Sequence, residues 1–103
     1  MNTKNFDGLE SLEKKHGPMT VGLFLRSIRE ADELTQVEFA KRLKISRANL
    51  CDIEKGRKLL STERAIKFAK LLKLPELTMI KLSLQDSLRH SRVNYNIELT
   101  KAA

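Results

Sequence analysis

Between Lys41 and Lys58 the run KRLKISRANLCDIEKGRK carries seven cations and two carboxylates. Ammonium and guanidinium groups at that density suit phosphate. A forked guanidinium such as Arg47 can also grip guanine O6 and N7, and an amide such as Asn49 can pair with adenine N6 and N7. Those residue types in that run point to recognition of a nucleic-acid duplex. The placement of the charge matters more than its total. Residues 1–19 are neutral, residues 20–60 carry +3 and residues 61–103 carry +4 of the overall +7, whereas 41–58 alone carry +5.

The elements that must hold those side chains are legible from Leu34 to Lys58. Thr35 followed by Glu38 forms a capping box, in which hydroxyl and carboxylate each satisfy a backbone amide of the first turn. Val37, Phe39, Ala40 and Leu43 supply the apolar positions of a two-turn helix. Lys44-Ile45 makes a turn with Ile45 as an apolar plug, and Ser46 caps a second helix that buries Leu50 and Ile53. Gly56 ends it, because glycine reaches positive φ cheaply. Two short helices about a tight turn, with cations on and after the second, can lay a helix in a major groove.

The order of these residues resembles the phage-repressor type of helix-turn-helix domain, the Xre or lambda/434 repressor-like family. The resemblance spans Leu25 to Leu74, about half the chain. It is carried by Leu25-Arg26-x-x-Arg29, Leu34-Thr35-Gln36, Phe39-Ala40, Leu43, Ile45-Ser46-Arg47 and Ile53-Glu54-x-Gly56. The chain departs from the family at Lys44, where glycine is usual and positive φ strains any other residue by about 1 kcal/mol. It also has Leu59-Leu60 in a loop that commonly holds proline.

The resemblance implies roles for particular positions. Arg47, Ala48 and Asn49 begin the second motif helix and would face base edges, with Asp52 one turn later. Ala48 would offer a methyl to thymine. A carboxylate at Asp52 is unfavourable near phosphates unless cytosine N4 or a neighbouring arginine holds it. Gln36 would clamp a phosphate and brace the recognition helix, and Ser46, Lys55, Arg57 and Lys58 would complete the backbone contacts. Glu54 would pair with Arg29 from the first helix and fix one helix against the other.

Around the motif the chain divides into an N-terminal helical arm over residues 1–17, a domain over 18–90 with its motif at 35–54, and a tail over 91–103. In the arm, Asp7 can cap a short helix carrying Leu9 and Leu12, and Gly17-Pro18 stops it. Thr20 caps a helix whose stripe is Val21, Phe24, Leu25, Ile28 and Ala31. Ser61 caps another, with Ala65, Ile66, Phe68, Ala69 and Leu72 inward. Pro75 opens a last helix, reaching about His90, whose Leu77, Ile80, Leu84 and Leu88 recur at i+3 and i+4. In the tail, Val93, Tyr95, Ile97 and Leu99 alternate with Asn94, Asn96, Glu98 and Thr100, the period of a half-buried strand. A lone strand leaves its amides and carbonyls without a ladder. Such a tail pairs with a symmetry mate, joins another protein's sheet or stays disordered alone. The expected fold is therefore all-α: a lambda repressor-like five-helix domain with a short N-terminal helix and a C-terminal strand. Leu84, Leu88, Val93, Tyr95, Ile97 and Leu99 are the expected dimer or partner surface.

Other classes find no support. His16 and His90 lack metal-ligand spacing, and there is no glycine-rich phosphate loop or nucleophile motif. No enzyme, metal or cofactor is expected. The single Cys51 forms no internal disulfide, which suits a reducing cytoplasm, and no secretory or membrane-spanning apolar run is present. Two readings remain. One is a stand-alone repressor binding a palindromic operator as a homodimer. The other, toward which the short length and two arms lean, is a HigA-like antitoxin that binds a toxin protein and represses its own operon. A protein-interaction module with only non-specific DNA binding is a third and lesser one.

Overall fold

The structure, a computed structural model, describes residues 18–102; the arm expected over residues 1–17 lies outside the described residues. Five helices follow one another: α1 Val21–Ala31, α2 Gln36–Leu43, α3 Arg47–Glu54, α4 Thr62–Leu72 and α5 Glu76–His90. They close around one core whose most buried side chains include Leu25, Phe39, Leu43, Leu50, Ile53, Phe68 and Met79.

Local chemistry sets where the helices start. Thr20, Ser46 and Ser61 each accept from the amide three residues on, at 3.1, 3.0 and 3.2 Å. Thr35 and Glu38 form the full reciprocal box, which holds the Glu38 carboxyl below its usual range. Such caps satisfy amides that the helix itself leaves unpaired.

The helix ends share a device that the sequence shows only at Lys44. Glu33, Lys44, Lys73 and Arg92 all lie at φ of 56–61°. Each is followed by an apolar residue whose amide reaches back across the last turn: Leu34 to Arg29, Ile45 to Ala40, Leu74 to Ala69 and Val93 to Leu88. This is the Schellman closure with non-glycine residues in the left-handed position. The cation at Lys44 therefore occupies the strained site the sequence suggests. Lys44→Gly is expected to raise stability by up to about 0.5 kcal/mol, the relieved strain less glycine's extra unfolded entropy. A rise in thermal midpoint without change of fold checks it.

Three expectations about faces need correction. Val37 is 48% exposed, because α2 turns Phe39, Ala40 and Leu43 inward. Ala31, in the last turn of α1, is exposed as well. In α5 the buried residues are Met79, Ser83 and Asp86, whereas Leu77 is 55% exposed and Ile80, Leu84 and Leu88 are only half-buried. At 100° per residue the buried set and the leucine stripe lie on nearly opposite sides of α5. Apolar residues occur all round this helix, so periodicity does not choose the face.

A polar clasp chooses it. Asp86 Oδ2 accepts from the Val21 amide at 3.0 Å, its Oδ1 accepts from Arg89 at 3.1 Å, and Arg89 also donates to the Met19 carbonyl at 3.1 Å. The carboxylate thereby caps the start of α1 from a helix 65 positions away. Burial raises the Asp86 pKa, and the Val21 amide and Arg89 only partly offset this. Protonation is then easier in the folded chain than in the unfolded one. The group's contribution is full below its ordinary pKa and fades as pH rises through the raised one. On acidification from neutrality through that window, the stability lost in Asp86→Asn is expected to grow. Urea midpoints of both proteins across a pH series measure it.

The tail is not a strand. The described residues contain no strand, and 93–102 have no regular structure. The reason is that no neighbouring backbone among the described residues supplies a ladder. The tail instead turns at Arg92 and lies against α5, bonded through the side chain of Gln85. Ile97 and Leu99 are half-buried there, while Val93 is 39% and Tyr95 71% exposed.

Candidate nucleic-acid interface

Helix α3 is gripped from behind. Its inner face is Leu50, Ile53 and Glu54. Leu50 and Ile53 enter the core, but Glu54 ends in a polar clamp. Arg29 meets it with both arms of its fork, Nε to Oε2 at 2.8 Å and a terminal nitrogen to Oε1 at 3.1 Å. Gln36 adds a third donor to Oε1 at 3.1 Å, and Arg29 also donates to the Leu34 carbonyl at 3.0 Å. One carboxylate thus ties α1, α2 and α3 together. Its hydrogen bond raises the pKa of Arg29 further, keeping the guanidinium charged. The pairing expected for Arg29 and Glu54 is present, and Gln36 is seen in its bracing role.

Gly22 is a residue the sequence reading misses. A Cβ built on it would collide with the Ile53 carbonyl oxygen and lie 3.0 Å from the Glu54 carbonyl oxygen. The α1 and α3 backbones therefore touch where a side chain would hold them apart. The available signal was a glycine inside an apolar helical stripe, a position that costs about 1 kcal/mol against alanine without a packing reason. Asp86 is the other omission, and no local pattern connects it to Val21.

With its rear fixed, α3 turns a polar side outward. Ser46, Arg47 and Ala48 are exposed at its first turn, and Lys55, Arg57 and Lys58 are exposed beyond its end. Asn49, Cys51 and Asp52 are half-buried. Asp52 does not point out alone: its Oδ1 accepts from Arg57 Nε at 3.0 Å. The Asp52 carbonyl also accepts from the Arg57 and Lys58 amides at 2.8 and 3.2 Å. This carboxylate thus folds the loop after α3 back onto the helix. Asn49 carries a buried Oδ1 with no hydrogen-bond partner. Of the four residues named for base edges, Arg47 and Ala48 stand in the open, Asn49 is turned partly inward and Asp52 is engaged. Of the phosphate set, Ser46 stands at the start of α3 and Lys55, Arg57 and Lys58 beyond its end, with Arg57 held by Asp52 and by a 3.9 Å approach to Cys51 Sγ, whereas Gln36 lies at the start of α2 with its amide on Glu54.

Among the described residues no group of His, Cys, Asp and Glu could hold a metal ion, and no helix is long and apolar enough to cross a membrane.

Two helices joined by a tight turn, the second braced behind and polar in front, define a helix-turn-helix protein. Residues 20–79 match the helix-turn-helix domain family, and the chain belongs to it, in the Xre/lambda repressor type, a class of DNA-binding regulators. No curated protein and no solved structure matches the chain.

Proposed function

We propose that this protein is a sequence-specific repressor that binds a palindromic operator as a homodimer, by recognition alone and without catalysis. The observation that carries the reading is the division of α3: Glu54 is only 6% exposed and clamped by Arg29 and Gln36, while Arg47 and Ala48 project from the capped first turn. A helix fixed on one side and free at its N-terminal turn is what groove insertion requires. In this reading Arg47 grips guanine, Ala48 meets a thymine methyl and Asn49 turns its amide outward to adenine. Asp52 serves by holding Arg57. Ser46, Lys55, Arg57 and Lys58 grip phosphate, joined by Gln36 at the start of α2. The lone Cys51 accords with work in the cytoplasm.

Arg47→Ala is expected to weaken binding to the preferred site by roughly 1–3 kcal/mol and to relax base choice at one position. Lys58→Ala should weaken all duplexes alike and lower the salt slope by about one ion. Mobility-shift titrations of both variants at several salt concentrations test the reading. Identical behaviour of the two would refute the division between base and backbone contacts.

One observation favours a second reading, the antitoxin. The stripe of Leu77, Ile80, Leu84 and Leu88 lies away from the core of α5. A toxin that covers it would add protein binding to operator binding. Rescue of growth on co-expression with the product of an adjacent reading frame is the expected result. Unchanged toxicity would remove this reading.

A further inference from the structure

Among the described residues the tail is bonded along one edge and not along the other. The Gln85 side chain donates to the Tyr95 carbonyl at 2.6 Å and accepts from the Ile97 amide at 2.9 Å. A carbonyl and an amide two positions apart, both bonded to one group, is the pattern made by one residue of a parallel strand. The side-chain amide of Gln85 stands in for that residue. In such a segment alternate residues turn their backbone groups to opposite sides. The amides and carbonyls of Asn94, Asn96 and Glu98 then face away from Gln85, and none has a partner among the described residues.

We propose that a second copy of this chain closes the open edge, its tail running antiparallel about a two-fold axis through Asn96. This proposal rests on the homodimer reading and gives it an interface. Two constraints meet on that register. The backbone requires residues 94, 96 and 98 to bond with one another, so the axis must pass through one of residues 94 to 98. The side chains then choose among them. About Asn96, Tyr95 faces Ile97 of the second copy, and Val93 faces its Leu99, so every apolar residue meets an apolar one. Asn94 faces Glu98, and Arg92 faces Thr100 with Glu98 diagonal to it, so no like charges oppose. An axis at Asn94 sets Ile97 against Ser91, one at Tyr95 sets Leu99 against Ser91, one at Ile97 sets Val93 against Lys101 and one at Glu98 sets Tyr95 against Lys101. A slip by one residue would turn the apolar set to the other face. The pairing covers Val93 and Tyr95, which stand 39% and 71% exposed. A two-stranded ribbon is marginal alone, but here each strand is already held to its own α5 by Gln85.

Cysteine cross-linking reads the register in the full-length chain, with Cys51→Ala removing the native thiol. Facing residues of a bonded antiparallel pair have Cα atoms about 5.5 Å apart, within disulfide reach. In the proposed register the two copies of residue 94, or of 98, lie roughly 14 Å apart. Asn96→Cys is expected to form a covalent dimer at least tenfold faster than Asn94→Cys or Glu98→Cys alone. A mixture of the last two should cross-link with each other. Gln85→Ala should raise the dimer dissociation constant at least tenfold by sedimentation. Equal rates at the three positions in a protein that sediments as a dimer would overturn the tail pairing while leaving a homodimer to bind its operator. A protein that sediments as a monomer at all concentrations would overturn both.

Discussion

Replacing Glu54 with alanine is expected to cost about 3 kcal/mol of folding stability, with most DNA affinity lost at temperatures where the variant is still folded. The figure is the low end for breaking a buried ion pair, where the penalty comes from the charge left behind. The Glu54 side chain is 3% exposed and that of Arg29 14%, so water cannot replace the lost carboxylate fully. Of its described hydrogen-bond acceptors Arg29 would keep the Leu34 carbonyl, and Gln36 would lose its acceptor. A neighbouring pair supplies the contrast. Asp52 and Arg57 make the same kind of contact with side chains 46% and 58% exposed. Asp52→Ala should therefore change stability by less than about 0.5 kcal/mol. Urea unfolding of the two variants, with an unchanged slope, measures both. Equal losses would mean that burial is not what gives the Glu54 clamp its worth.

Gly22→Ala is the second large effect. Alanine is the better helix former by about 1 kcal/mol. Against that stands a methyl group driven into the Ile53 carbonyl oxygen, with the Glu54 Cα 3.1 Å away. All three close atoms are backbone, so no side chain can swing aside; α3 itself must retreat. Overpacking of this kind costs about 3 kcal/mol, leaving a net loss of about 2 kcal/mol. The displacement also carries the exposed first turn of α3 away from its place beside α2, so DNA affinity should fall further than stability alone explains. Thermal unfolding and a binding titration on the same sample separate the two effects. Because Gly22 and Arg29 both press on Glu54, the double variant Gly22→Ala, Glu54→Ala should lose less than the two single losses together.

What the sequence discloses here is what short range decides. Thr20, Thr35 with Glu38, Ser46 and Ser61 cap helices through atoms three residues away, and all four stand where the pattern puts them. The clamp between Arg29 and Glu54 spans 25 positions and was legible only because a family pattern carries it. Without such a pattern the long-range contacts were invisible. No local pattern singles out Asp86 or Ser83, yet both are buried, and Asp86 reaches the Val21 amide. The tail shows the opposite failure. Its alternation is real, but a strand needs a partner edge, and among the described residues the group bonded to it is the amide of Gln85. The interface was legible as a helix and less so as individual atoms. The sequence offers Asp52 either cytosine or a neighbouring arginine, and the structure shows it on Arg57; nothing in the order of residues says that Asn49 tucks its oxygen inward.

The central claim is that the leading side chains of α3 read bases. Selection of duplexes from a random pool, run in parallel with the native protein and Arg47→Ala at two salt concentrations, tests it most directly. The native protein should enrich a palindrome, and the variant should enrich the same palindrome with choice lost at one symmetric pair of positions. Enrichment of no sequence, or of an identical sequence by both proteins, would contradict the account.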